Sequence, residues 1–415
     1  MTIAAVRTLG SDRLLAYSLY GAVLSAAGLP IYIYAPKFFA DSYGVSLTAL
    51  GAVLFGLRLF DVVQDPGLGW LAERLRSTRR MAASIGAALL AVSMIGLFAV
   101  APPVAPLLWF GIAITGLFSA FSFLTILFYA QGIAKADQLD GGHVRLAGWR
   151  EAGALLGVCI AAITPTALLG VVQSPFQVFA LAFALVAVIA TAAMWPEWQT
   201  VKAAPATKVR TILADFLARR LLLLALVNAA PLAVSSTLFL FFVESRLAAP
   251  GWEGPLLVLF FLAAAVSAPF WSWAAPRYGI RHVLLWAMVL AILSFGFALS
   301  LAEGDVLFFA LVCLASGTTI GADLVLLPAI FARRMAAIAP TGAQGFGLWA
   351  FVSKFTLAFA AVLLLPALEF AGFQAGGENP PHALTLLTIL YAGLPCALKL
   401  VAIALVLATP EIDES

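Results

Sequence analysis

Asp61 and Asp65 stand four residues apart in the run Arg58-Leu-Phe-Asp61-Val-Val-Gln-Asp65-Pro66. On a helix that spacing puts both carboxylates on one face, one turn apart. Arg58 precedes Asp61 by three residues and falls close to the same face. The surrounding stretch, Ser46 to Leu71, is apolar and long enough to cross a bilayer. A charge at bilayer depth costs at least ~2.5–3.5 kcal/mol, so such residues are rarely kept without a task. Two adjacent carboxylates also repel unless a proton or a metal cation stands between them. The pattern predicts a site for a small cation. Na+ would take carboxylate, hydroxyl and backbone carbonyl oxygens; H+ would sit on one carboxylate beside the other. No other cofactor is implied.

Lys354 lies in another apolar segment, 345–371. One buried ammonium and two buried acids must be balanced, so Lys354 is expected to pair with the aspartates when the cation is absent. The arriving cation would displace it, and linkage makes any effect on a second ligand reciprocal.

These groups need a scaffold that lies in lipid. Of 415 residues, 63% are hydrophobic and only 10% are charged, and mean hydropathy is +1.06. A soluble chain carries about 25% charged residues. The chain reads as a polytopic membrane protein with no cleavable leader, since its first apolar stretch is too long for one. Twelve segments, from 14–40 to 383–408, are long enough to span. The polar stretch 196–220 divides them into bundles at 1–195 and 221–415, six spans each. The expected fold class is therefore an all-α membrane protein of twelve transmembrane helices in two six-helix bundles. Basic residues gather at one end, among them Arg7, Arg13, Arg74, Arg79, Lys135, Lys202 and Arg277; Lys37 and Arg246 stand at the other. That asymmetry places both termini and the linker in the cytoplasm.

Several functions are disfavoured. The net charge of +3 comes from loops at one end and gives no nucleic-acid signal. Cys159, Cys313 and Cys396 fall in apolar segments and read as small buried hydrophobes. His143, His282 and His382 are scattered without ligand spacing, which argues against a metalloenzyme. No phosphate-cradling glycine loop with Lys and Ser or Thr is present, so ATP drive is not expected. A membrane enzyme or sensor is a distant alternative, for no catalytic cluster or signalling domain is visible.

The turn Gly69-Trp70-Leu71-Ala72-Glu73-Arg74, closing on Arg79-Arg80, echoes Trp271 to Arg281 at the matching place in the second half. This duplicated plan resembles the major facilitator superfamily over the whole chain, although Glu73 stands where that loop signature has Asp. More narrowly, Arg58-x-x-Asp61-x-x-x-Asp65-Pro66-x-x-Gly69-Trp70 resembles the second-helix motif of the glycoside-pentoside-hexuronide:cation symporters, the melibiose permease family. Lys354 matches that family's eleventh-helix lysine, and Arg150 a fifth-helix arginine that contacts sugar. Tyr129 sits where a sugar-stacking tryptophan is common, and the aromatic face of Trp349 also suits a pocket.

There are departures. Thr125 replaces the fourth-helix acid and would offer the cation a neutral hydroxyl. Ser25 falls near the first-helix acid, and Ala332-Arg333-Arg334 replaces a usually acidic loop. The resemblance implies a cation-coupled symporter of a small solute in a bacterial inner membrane, without an obligate protein partner. Its cargo would be a sugar or glycoside; related carriers of lysolipids share the motif, so amphipathic cargo is the alternative. Arg150 with Glu151, and Asp323 or Lys399, are weaker candidates for pairing or function.

Overall fold

The computed structural model of the chain describes residues 12–198, 207–374, 377, 379–409 and 412. Arg7, Lys202, part of the expected linker and the extreme termini lie outside the described residues. The described residues are helical, with no strand among them. Among the described residues, eleven helices are long and apolar enough to cross a membrane.

The difference from twelve lies in the first span. The stretch 14–40 folds as two shorter helices, α1 (Leu14–Ala26) and α2 (Leu29–Tyr43). The amides of Ala27 and Gly28 bond to the carbonyls of Leu24 and Ser25, a tight closure that ends α1. Gly28 then leaves helical geometry at φ −88° and ψ −117°. Pro30 sits in the first turn of α2, where its missing N–H does no harm. At about 1.5 Å per residue neither piece covers the ~30 Å hydrocarbon core, and only the two together do.

The first half continues with α3 (Leu47–Arg74), α4 (Arg79–Phe98), α5 (Pro106–Ala136), α6 (Gly142–Ala167) and α7 (Pro175–Met194). A short α8 (Val209–Ala214) leads to α9 (Phe216–Phe241). That helix begins inside the stretch expected as linker, because the Asp215 carboxylate accepts from the Ala218 amide and caps it. There follow α10 (Glu253–Tyr278), α11 (Ile280–Gly296), α12 (Val306–Ile338) and α13 (Ala343–Phe370). Finally α14 (Pro381–Thr388) runs through a π-helical turn, Ile389–Gly393, into α15 (Leu394–Leu407) as one span.

Lipid gives apolar side chains no reason to leave it, so close backbone packing must hold the helices together. Gly153 and Gly157 of α6 show how. A Cβ on either would stand 2.1 Å from the Ser18 carbonyl or 2.2 Å from that of Ala22, so α1 lies directly on α6. On α12, Gly317 does the same for α10, where a Cβ would meet the Phe260 carbonyl at 2.4 Å.

The halves meet where α3 packs on α13 and α6 on α10. At the end carrying the basic loops this seam is closed. Arg79, wholly buried, donates to the Thr341 carbonyl of the other half at 2.7 Å and to Gln131 Oε1 at 3.2 Å. Ser272 donates to the Val144 carbonyl at 3.0 Å. Toward the opposite end, α1 and α2 form no packed pair with α9 among the described residues. The molecule is therefore sealed at its basic end.

Candidate cation site and cargo path

Asp61 and Asp65 are buried on α3 near the middle of the helix, and both turn toward α13. The ammonium of Lys354 reaches from α13 and donates to Asp65 Oδ1 at 3.1 Å. It stands 3.7 Å from Asp61 Oδ2 and also donates to the Ser122 hydroxyl on α5. The Gln64 amide donates to Asp61 Oδ1, and the Ser119 hydroxyl donates to Gln64 Oε1 at 2.9 Å. Three helices and both halves thus converge on one ammonium.

Local sequence explains the geometry. Four-residue spacing stacks the two acids, and three-residue spacing lines up Ser119, Ser122 and Thr125 on α5. Pro66 has no N–H to offer the Val62 carbonyl one turn back. Asp65 Oδ2 and Thr125 Oγ1 are buried without a hydrogen-bond partner among the described residues. Asp65 Oδ2 is thus an acceptor in the cluster that Lys354 does not serve, and the Thr125 hydroxyl makes no hydrogen bond to the acids. Arg58, half-buried one turn away, acts electrostatically on Asp61.

Approach of the helices depends on two glycines. A Cβ on Gly347 would meet the Asp65 carbonyl at 3.0 Å, and one on Gly69 would meet the Ala343 carbonyl at 3.1 Å. Larger residues there would lift α13 off α3 and pull Lys354 from the acids.

Tyr129 and Arg150 join a different group. The guanidinium lies over the Tyr129 ring, 3.6 Å from its centroid, and donates to Glu151 Oε1 at 2.7 Å. The Tyr129 hydroxyl donates to the same oxygen at 2.7 Å. Its ring meets Phe346 of α13 at 5.2 Å, toward the closed end from Lys354. Trp349 packs on Phe331 within the second half, 4.9 Å between centroids. Ser25 is half-buried at the end of α1, and its hydroxyl makes no hydrogen bond to the acids among the described residues. The structure thus unites Asp61, Asp65 and Lys354, pairs Tyr129 with Arg150, and leaves Trp349 and Ser25 apart from both groups.

A third charged group is wholly internal to the second half. Lys399 of α15 donates to Asp323 of α12 and, at 2.7 Å, to Asn228 Oδ1 of α9. Pairing, not snorkelling, is the outcome for both ions. Sequence reasoning missed Gln64, Ser119, Ser122 and Asn228. For Ser122 a signal was present, one turn before Thr125 on the same face.

The profile of the MFS/sugar transport protein family matches residues 16–413. The chain belongs to this family. It is thus a major facilitator transporter, an integral membrane protein and not an enzyme. Among curated proteins, none matches its sequence. Among solved structures, the transporter is similar to a bacterial homologue of the iron transporter ferroportin in an outward-facing state. The TM-score is 0.69 at 14% identity, over 96% of this chain and 98% of that one. The same homologue with soaked iron gives 0.65, also at 14% identity and with the same coverage. At that identity the likeness bears on the fold. Among the described residues no three His, Cys, Asp or Glu side chains gather as metal ligands.

Proposed function

We propose that this transporter is a symporter driven by Na+ or H+, which moves a small solute by alternating access. Its setting is a bacterial inner membrane, with both termini in the cytoplasm. One observation carries the reading: the Lys354 ammonium of one half rests on Asp65 and Asp61 of the other. An internal cation occupies the place where a mobile one would go. When Na+ or H+ takes over the negative charge, Lys354 loses its partners and the tie between α3 and α13 is released. Ion occupancy then changes how the halves fit together, and hence the affinity for solute between them. By linkage the solute changes ion affinity equally.

For Na+ the donors would be the Asp61 and Asp65 carboxylates with the Ser122 and Thr125 hydroxyls, all hard oxygens. Tyr129 and Trp349 offer aromatic faces and Arg150 a guanidinium to the cargo, a set that suits a sugar or glycoside.

The test is thermal stabilisation of the purified protein by sugars, glycosides and lysolipids, with and without Na+ and across pH. A ligand should stabilise more strongly when the driving ion is present, and Asp61→Asn with Asp65→Asn should remove that enhancement. Concentrative uptake that survives neutralisation of both acids would sink the proposal. Stabilisation by lysolipid alone would reassign the cargo and leave the ion site standing.

A further inference from the structure

Beside the seam, at the basic end, α6 and α10 enclose a crevice of ≈ 620 Å³. Its walls are two antiparallel ladders. On α6, Arg145, Trp149 and Leu156 succeed one another on one face. On α10, Arg277, Trp273 and Pro269 do so in reverse. Both ladders pass from charge through an aromatic ring to apolar surface with increasing distance from the basic end. At 1.5 Å per residue this covers roughly 16 Å, a headgroup and the upper part of an acyl chain.

The crevice opens sideways. Trp149 is 37% exposed, Leu156 43% and Trp273 48%. Beyond them Ile160, Val266 and Phe270 continue an exposed apolar surface, as a lipid-facing wall requires. Charge selects the occupant. Arg145 pairs with Asp12 at 3.1 Å and donates to the Asp140 carbonyl at 3.2 Å. Arg277 stacks on Trp273 at 4.0 Å, and no carboxylate pairs with it among the described residues. Among the described residues Asp12 is the one carboxylate paired with either guanidinium, which leaves a positive excess, and guanidinium forks match phosphate oxygens.

We propose that this crevice seats one anionic phospholipid of the surrounding bilayer. Its phosphate lies between Arg145 and Arg277, its glycerol region between the two tryptophans, and a chain along Leu156 and Pro269. The lipid bridges the halves beside the Ser272–Val144 hydrogen bond, and so fastens the sealed end. It is a fastener and not cargo, and this inference does not depend on the nature of the driving ion or solute.

The test is native mass spectrometry of the purified transporter mixed with phosphatidylglycerol and phosphatidylcholine of matched chains. Phosphatidylglycerol should be retained in about fivefold or greater preference, since each juxtamembrane arginine contributes about that factor. Arg277→Ala, which leaves the Arg145–Asp12 pair intact, should cut the preference several-fold; Arg145→Ala with Arg277→Ala should bring it to parity. Arg80→Ala, at the same end but stacked on Trp195 at 5.1 Å, should keep it. Equal retention of both lipids, or equal losses in Arg80→Ala and Arg277→Ala, would overturn the site. Translocation of labelled phosphatidylglycerol in proteoliposomes would overturn the fastening role.

Discussion

Two lysines sit at membrane depth in this transporter and do different physical work. Lys399 is a single ammonium facing a single acid, each side chain 7% exposed. Removing it strands a buried charge, so Lys399→Ala should lose about 3–5 kcal/mol of stability, and Lys399→Met with Asp323→Leu should recover most of it. Lys354 is 23% exposed and faces two acids. Lys354→Ala should lower the thermal midpoint less than Lys399→Ala does and, on the proposed ion coupling, abolish ion-stimulated uptake. Ion-stimulated uptake that persists in Lys354→Ala would refute the displacement role. The acids and lysines were legible because a charge in oil announces itself by its cost. Ser119 was not: helical serines commonly bond their own preceding turn, as Ser84 bonds the Arg80 carbonyl, so residue type alone carries little signal.

At the level of elements, Asp215 joins three helices by capping α9, ending α8 and holding Arg334 of α12. Its hydrogen bond from Arg334, aided by the Ala218 amide, holds the carboxyl below the usual carboxylate range. A depressed folded-state value means stability that is present above the unfolded value, near 3.9, and lost as pH falls through the folded one. Asp215→Asn keeps the cap but not the charge. The wild type should therefore be the more stable of the two at pH 7, and the gap should close at the acid end of a thermal-unfolding series. A gap of constant size down to pH 2 would show that the charge is irrelevant. The spans were legible because apolar length is a direct demand of the bilayer. The break at Gly28 was not, for an apolar run reports length and not continuity. The start of α9 was set by a cap at Asp215, upstream of the apolar residues that mark the span.

For the whole molecule, the closed end rests on contacts between residues far apart in the chain. Arg79 reaches a carbonyl 262 positions away, and a carbonyl acceptor has no side-chain identity to read in advance. The points where α3 meets α13 and α6 meets α10 were not legible in the sequence. A charge-assisted hydrogen bond contributes about 1.5–3 kcal/mol, so Arg79→Ala should shift the balance toward opening at this end by roughly 10- to 100-fold. A cysteine introduced at Ser272, with Cys159, Cys313 and Cys396 replaced, should then react faster with an impermeant thiol reagent added to the basic side. An unchanged labelling rate would show that the seal does not depend on Arg79. The interrupted first span has its own consequence. Its inner rod is clamped, with Ser18 and Ala22 resting on α6 glycines. Its outer rod is held through side chains such as Tyr34, whose hydroxyl donates to the Ala162 carbonyl. Because the amide ladder already stops between the rods, tilting the outer one breaks no helical bond. The outer rod can thus change its tilt at Gly28 by repacking side chains such as Phe39, which rests on Phe110, while the wall behind it stands still.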